Sequence, residues 1–304
     1  MKLFRKGSWK DLKDLVPRLS VLHKKIPQII QLTRLDRPVG IYLLLWPTIA
    51  SLWVASDGFP PISLLIIFVL GTIVMRSAGC CINDFADYRI DGEVSRTRDR
   101  PLVLDKLDRQ DALICFVILS SMGFCFLLFT NMETILLSCA AVAIIVIYPF
   151  MKRYTNLPQI ILGVAFSWGI LMAFTATSSR IPPIAYLLFI ANLLWTVAYD
   201  TQYAMVDREH DIRIGVKSTA ILFGNMDRIM IGILQASFIF AQVLAARYLQ
   251  FSAVFYVSIC FACLLLLYQQ YLIKDRLPDL CFQAFLNNSW VGAIIFLGIV
   301  FSYL

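Results

Sequence analysis

Residues 61–91 read PISLLIIFVLGTIVMRSAGCCINDFADYRID, an apolar run of about twenty residues that closes on Asn83, Asp84, Asp87 and Asp91. About twenty apolar residues is the helix length that crosses a hydrocarbon core about 30 Å thick, so the stretch predicts a transmembrane helix. Its polar end predicts a carboxylate-bearing tip at the membrane boundary. At about 100° per residue the three aspartates stay within roughly a third of the helix circumference. Arg76 lies two turns earlier on that face, roughly 10–12 Å deeper at 1.5 Å per residue. A cation inside a span is costly and by default marks a functional site; the plainer reading is an ion pair that only holds helices together.

The rest of the chain repeats this pattern. Apolar residues make up 59% of the 304 and charged residues only 15%, well outside the usage of soluble domains. Nine apolar runs can be marked, at about 38–56, 61–82, 112–130, 134–150, 158–178, 182–200, 229–248, 251–272 and 283–303. Only helices or closed barrels satisfy their backbone inside lipid, so the expected fold is an all-α, polytopic membrane bundle of about nine transmembrane helices. No polar stretch is long enough for a second core, which makes residues 34–304 one intramembrane domain. Residues 1–33 are rich in Lys and Arg, with no apolar signal-peptide core before Leu43. They read as a basic arm lying on anionic headgroups.

The net charge of +7 raises the question of nucleic acid, but the position of the charges answers it. With nine spans, one side collects residues 1–37, Lys152, Arg153, Lys274, Arg276 and the basic residues of 83–111 and 201–228. The other side holds only Arg180 and Arg247. Positive residues stay cytoplasmic, so the N-terminus and the acidic tip are expected on the cytoplasmic face of a bacterial inner membrane. The partner implied is a lipid bilayer and not a nucleic acid. Eight cysteines lie in or beside spans; even Cys260 and Cys263, with metal-like spacing, lack further ligands and read as packing. Trp53, Tyr148 and Trp290, near span ends, read as interfacial anchors, and Pro47 within the first span predicts a kink.

The acidic tip has an echo. Asp200-Thr201-Gln202-Tyr203-Ala204-Met205-Val206-Asp207 closes another apolar run, with Asp211 four residues on. Aligning Asp84 with Asp200 sets Asp91 opposite Asp207, 116 positions later. Aspartates and asparagine offer hard oxygen ligands that suit Mg²⁺ better than zinc. His23 and His210 lack the further His or Cys ligands that zinc would need. Interleaved Arg and Lys would neutralise phosphate oxygens that the metal leaves free. A metal-held polyphosphate above an apolar interior fits a lipid with a diphosphate head, whose departure such charges would assist. The basic loops 91–101 and 203–228 could close over the two tips as lids.

These residues resemble the UbiA superfamily of intramembrane prenyltransferases, whose marks are an N-D-x-x-D-x-x-x-D motif and a second aspartate-rich motif. The chain is most similar to the bacterial branch that prenylates 4-hydroxybenzoate in ubiquinone biosynthesis. The likeness rests on Leu35-Asp36-Arg37-Pro38-Val39-Gly40, Leu45-Trp46-Pro47-Thr48, Met75-Arg76-Ser77-Ala78-Gly79-Cys80, Tyr148-Pro149-Phe150-Met151-Lys152-Arg153-Tyr154, Tyr199 through Arg208, and Gly215 through Gly224. It implies nine helices around a central cavity, with Mg²⁺ and a polyprenyl diphosphate held at the cytoplasmic side. The metal ligands it implies are Asn83, Asp84, Asp87, Asp91, Asp200, Asp207 and Asp211, with Asp84, Asp87, Asp200 and Asp207 carrying catalysis. Arg37, Lys152, Arg153 and Lys217 become candidates for the diphosphate or the aromatic carboxylate, and Arg76 and Asn83 belong with the substrate site. Tyr203 stands where many members have aspartate and is expected to touch substrate. Asp99-Arg100-Pro101-Leu102-Val103-Leu104-Asp105 departs from the usual small-residue lid.

The expected reaction is Mg²⁺-dependent transfer of a polyprenyl group to the ring carbon ortho to the hydroxyl of 4-hydroxybenzoate. Within enzymes the alternative acceptors are a haem, a naphthoate or a lipid alcohol. From another class, a cation transporter could use the same aspartates, but it would gain little from Arg96, Arg98, Arg100, Lys152 and Arg153 beside them.

Overall fold

The computed structural model describes residues 25–92 and 97–304. Eleven α-helices follow in order: α1 Ile26–Leu32, α2 Val39–Ala55, α3 Ile62–Asp91, α4 Arg109–Leu127, α5 Met132–Met151, α6 Pro158–Ser178, α7 Pro183–Ile214, α8 Thr219–Phe223, α9 Asp227–Tyr248, α10 Ala253–Leu272 and α11 Pro278–Ser302. Eight helical segments are long and apolar enough to cross a membrane, and α2 is a shorter apolar helix. Among the described residues these make nine apolar helices, so the chain is a multi-pass, all-α membrane protein.

Local chemistry sets the ends. Proline opens α6, α7 and α11, where its missing N–H has no helical partner to lose. Asn131 caps α5 by accepting from Thr134 N at 3.0 Å, and Ser218 caps α8 through Ile221 N. Gly215 closes α7 in the left-handed region at φ +73°, a conformation glycine adopts without steric cost. Pro47 and Pro149 lie inside α2 and α5, and both helices run on past them.

The outer surface is apolar. Val117, Leu136, Phe240, Leu264 and Leu267 are all exposed, a burden in water but the ordinary lining of a lipid-facing wall. The inner core gathers α2, α6, α7, α9, α10 and α11 around Trp195, which stacks on Phe238 and meets Tyr199 edge-on. Trp53 is part of this core and not a boundary anchor, packing edge-on against Phe59 and Phe296. Trp290 is exposed.

Buried side-chain amides tie the second half together. Trp195 Nε1 donates to Asn288, Asn288 to Gln202, and Gln202 and Gln235 both to Gln269, which donates on to Asn287. Each link satisfies a polar group that lipid cannot.

Two helices outgrow the others. α3 has 30 residues and α7 has 32, about 45 and 48 Å at 1.5 Å per residue. Their C-terminal turns therefore project beyond a hydrocarbon core, and both projections lie at the same end of the bundle. That end also carries α1, whose Leu32 is fully buried against Cys81, Leu102, Leu107, Ala112 and Cys115. The last residues of the basic N-terminal stretch thus pack into the body, and Lys25 pairs with Asp111 at 2.8 Å. Residues 1–24, including His23, lie outside the described residues.

Gly292 marks a close crossing of indoles in the core. A Cβ there would sit 2.7 Å from Trp46 and 2.8 Å from Trp195. Gly292→Ala should therefore destabilise the bundle by about 1–3 kcal/mol, read as a lower melting temperature of the purified protein in detergent. An unchanged melting temperature would mean the two indoles yield without cost.

Candidate active site

The end of α3 buries three carboxylates: Asp84, Asp87 and Asp91 are only 1%, 2% and 5% exposed. A carboxylate out of water needs a cation and hydrogen bonds, and each of the three has them. Arg34 Nη2 donates to both oxygens of Asp84, at 3.0 and 2.9 Å. Arg100 lies between Asp84, at 3.0 Å, and Asp91, to which it donates. Lys152, at the end of α5, donates to Asp87. Arg153 Nη2 donates to the carbonyl of Ala86 at 2.6 Å and stands 4.0 Å from the second Asp87 oxygen. That oxygen, Asp87 Oδ1, is buried and among the described residues accepts no hydrogen bond.

Burial pushes the Asp91 carboxyl up to about 6, against the pull of Arg100. Burial works against the Arg100 charge too, but Asp84 and Asp91 outweigh it and hold its pKa above the usual arginine value. The loop that brings Arg100 here is pinned by Thr97 Oγ1, which donates to the Asp91 carbonyl at 2.6 Å. Part of the first predicted lid thus lies over the first motif; Arg96 lies outside the described residues.

On α7 the second motif begins deeper. The side chain of Gln159, at the start of α6, and that of Arg76 lie close enough to Asp200 to act on its carboxylate. Gln159 Oε1 also accepts from Thr219 N at 3.0 Å, fixing the loop after α7 to the same place. Tyr203 packs on Phe285 at 4.8 Å between ring centroids and on Phe282 at 6.2 Å. Asp207 and Asp211 follow on the projecting turns, both half-buried, as is His210.

The two motifs meet across the end of α5. Tyr148 has Asp87, Asp200, Arg76 and Tyr203 all close enough to act on it electrostatically, which corrects its reading as an interfacial anchor. Lys217 N donates to the Lys152 carbonyl at 2.9 Å, and its Nζ to the Tyr154 carbonyl at 3.2 Å. The loop after α7 is thereby laced to the residue that holds Asp87. Arg76 itself donates to Cys80 Sγ at 3.0 Å and lies 5.6 Å from the Phe166 ring centroid. Among the described residues its buried Nε has no partner, and no carboxylate lies within ion-pair distance of it.

The predicted residues divide accordingly. Asp84, Asp87, Asp91, Lys152 and Arg153 form one cluster, with half-buried Asn83 beside Asp84 on α3. Asp200, Tyr203 and Arg76 form another around Tyr148. Arg37 is not brought in: its side chain is 78% exposed and its ion pair is with Asp36, at 3.7 Å. Sequence reasoning passed over Arg34, Tyr148 and Gln159. Arg34 sits in a turn at φ +59°, which no residue pattern announces.

Among the described residues, no group of three or more His, Cys, Asp or Glu side chains could hold a metal ion by itself. Mg²⁺ needs no such cage, since it is usually held by one or two carboxylates, with phosphate oxygens and waters completing the shell. The buried Oδ1 of Asp87, lacking a donor among the described residues, fits that demand, and the oxygen donors of the carboxylates and Asn83 suit a hard cation.

Comparison with known proteins places this geometry. The model of the UbiA prenyltransferase family matches residues 44–298. A protein of Pseudomonas aeruginosa called 4-hydroxybenzoate octaprenyltransferase is 52% identical over 289 residues, covering 95% of this chain and 98% of its own. One of the same name from Coxiella burnetii is 49% identical over 282 residues, covering 93% and 98%. Among solved structures, a UbiA homolog from Aeropyrum pernix superposes with a TM-score of 0.77 at 23% identity, over 87% of this chain and 98% of that one. A UbiA homolog from Archaeoglobus fulgidus bound to GPP and Mg²⁺ gives 0.68 at 16% identity, over 90% and 99%.

The Lys152–Asp87 pair yields a test in the protein alone. Lys152→Gln leaves a buried carboxylate with only the more distant Arg153, and should cost about 1–3 kcal/mol of stability. Adding Asp87→Asn should recover much of that loss, because the uncompensated charge is gone. Melting curves of the two single variants and the double variant would reveal the coupling; strictly additive losses would deny it.

Proposed function

The chain belongs to the UbiA prenyltransferase family, and on that premise we propose that it transfers a polyprenyl group from a polyprenyl diphosphate to 4-hydroxybenzoate. The new bond forms at the ring carbon ortho to the hydroxyl, an early step of ubiquinone biosynthesis. The relatives at about half identity over nearly the whole chain carry that name. The observation that carries the reading for this chain is the meeting of its two acidic helix ends at Tyr148, ringed by basic side chains.

The residues divide the work. Asp84, Asp87 and Asp91 from α3, with Asn83, and Asp200, Asp207 and Asp211 from α7 offer the oxygens that would hold Mg²⁺ against the diphosphate. When bound, the ion draws negative charge from the departing diphosphate. Arg34, Arg100, Lys152, Arg153 and Lys217 stand where they can turn from carboxylate or carbonyl oxygens to phosphate oxygens, neutralising charge as the C–O bond breaks. Tyr203, Phe282 and Phe285, which pack on one another, would border the allylic carbon and exclude water while the acceptor attacks. Arg76, with no carboxylate within ion-pair distance among the described residues, suits the carboxylate of 4-hydroxybenzoate. The ring proton leaves to a carboxylate or water at the same end.

Residues 34–304 act as one prenyltransferase unit, to which α1 is joined through Leu32 and Lys25. The site faces the cytoplasm of a bacterial inner membrane. This orientation is supported by the concentration of Arg and Lys at the motif end, against Arg180 and Arg247 opposite.

Purified protein or membranes supplied with labelled 4-hydroxybenzoate and polyprenyl diphosphates should form a prenylated acid with Mg²⁺ and none with EDTA. Asp87→Ala and Asp207→Ala should each lower turnover by about 10²-fold or more while the protein still inserts. Full activity of Asp87→Ala with Mg²⁺ present, or ion flux without prenylated product, would overturn the reading.

A further inference from the structure

We propose that Asp227, a carboxylate outside both acidic motifs, is a positioning residue for the second one. It clamps Arg208 and so fixes the direction in which the neighbouring Asp207, and Asp211 one turn on, face the site. This rests on the proposed role of those two aspartates.

The apolar packing of α7 runs out just where the motif ends. Ala198, Ala204, Met205 and Val206 lie against Ala220, Ile231, Leu272 and Cys281. Beyond Val206 every residue as far as Ile214 is half-buried or exposed, so burial alone does not set the rotation of the last two turns. Arg208 supplies a further constraint. It donates to Asp227 at the first residue of α9, a carboxylate with no exposed surface.

Successive residues on a helix are about 100° apart. A guanidinium held on the α9 side therefore dictates where the Asp207 carboxylate points, and Asp211, on the same stripe, turns with it. Asp227 cannot swing to follow Arg208. Its oxygens also accept from Arg276 Nε at 3.1 and 3.0 Å, from Arg276 Nη2 at 2.9 Å and from Arg228 N at 2.7 Å. Arg276 is fixed in turn through Nη2 to the Asn225 carbonyl at 2.9 Å. The clamp thus joins the end of α7 to the start of α9 and to the turn before α11.

A purely structural reading makes Asp227 a hub that closes α9 against that turn. The two readings part on which partner matters. Arg276 gives Asp227 three hydrogen bonds, and among the described residues its hydrogen bonds go to Asp227 and Asn225 and not to α7, whereas Arg208 gives one and sits beside Asp207.

The test compares full-length wild type, Asp227→Asn, Arg208→Gln and Arg276→Gln in lipid nanodiscs. Amide exchange across 206–214 is followed by mass spectrometry, and Mn²⁺ binding with inorganic pyrophosphate by electron paramagnetic resonance. Asp227→Asn and Arg208→Gln should speed exchange in that segment and raise half-saturating Mn²⁺ by about tenfold or more. Their KM for 4-hydroxybenzoate should stay within about twofold of wild type. Arg276→Gln should change half-saturating Mn²⁺ by less than about threefold. Should Asp227→Asn fail to insert, Arg208→Gln decides: unchanged exchange and unchanged Mn²⁺ binding would overturn the clamp. Equal effects from Arg276→Gln would overturn it too. Wild-type protein that binds no Mn²⁺ would instead overturn the metal role of Asp207 and Asp211, leaving amide exchange to judge the clamp.

Discussion

Three carboxylates within eight residues of one helix are kept almost wholly out of water, and the rest of the site is arranged around that burial. Charges so placed repel one another and lose hydration, so the chain must bring cations to them from elsewhere. It does so from three separate points in sequence: Arg34 before α2, Arg100 in the loop after α3, and Lys152 at the end of α5. Each is delivered by a loop on the same end of the bundle, which makes the acidic helix end an organising centre for those loops. The same arrangement stocks the site with positive groups within reach of a polyphosphate, so one set of residues serves both folding and substrate charge.

The bundle beneath is built to keep those ends in register. α3 and α7 do the projecting, while Tyr148 at the end of α5 lies close enough to Asp87 of α3 and Asp200 of α7 to feel both charges. Side-chain amides on α7, α9, α10 and α11 satisfy one another within the apolar interior, giving α7 a fixed seat before it leaves the membrane. Sites held on rigid helices are more exact than sites held on loops. Here helices carry the acidic residues, and loops carry most of the basic ones.

How far this was legible in the sequence follows from the range of each interaction. Spans and motif spacing are local, so the runs near 61–82 and 182–200 and the Asp84 and Asp200 patterns could be read directly. Lys152 and Arg153 were recognisable beside their Tyr-Pro motif, and the structure joins both to Asp87 and the Ala86 carbonyl. Arg37 was not separable from Arg34, three residues away: the turn at Arg34 aims one guanidinium at Asp84 and leaves the other in the open. Tyr148 looked like a boundary aromatic because depth along a span can be counted, whereas the direction a ring faces depends on which helices flank it. Asp227 and Arg208 lie 19 positions apart with a helix break between them, a pairing that no periodicity encodes.

The central claim is that both acidic helix ends grip one magnesium–diphosphate head. A structure of the protein with Mn²⁺ and a non-hydrolysable polyprenyl diphosphate, with the metal located by anomalous scattering, examines it most directly. The account predicts metal at about 2.0–2.3 Å from carboxylate oxygens of α3 and of α7, bridged by one diphosphate. Metal bound to a single helix, or a diphosphate seated away from Tyr148, would contradict it.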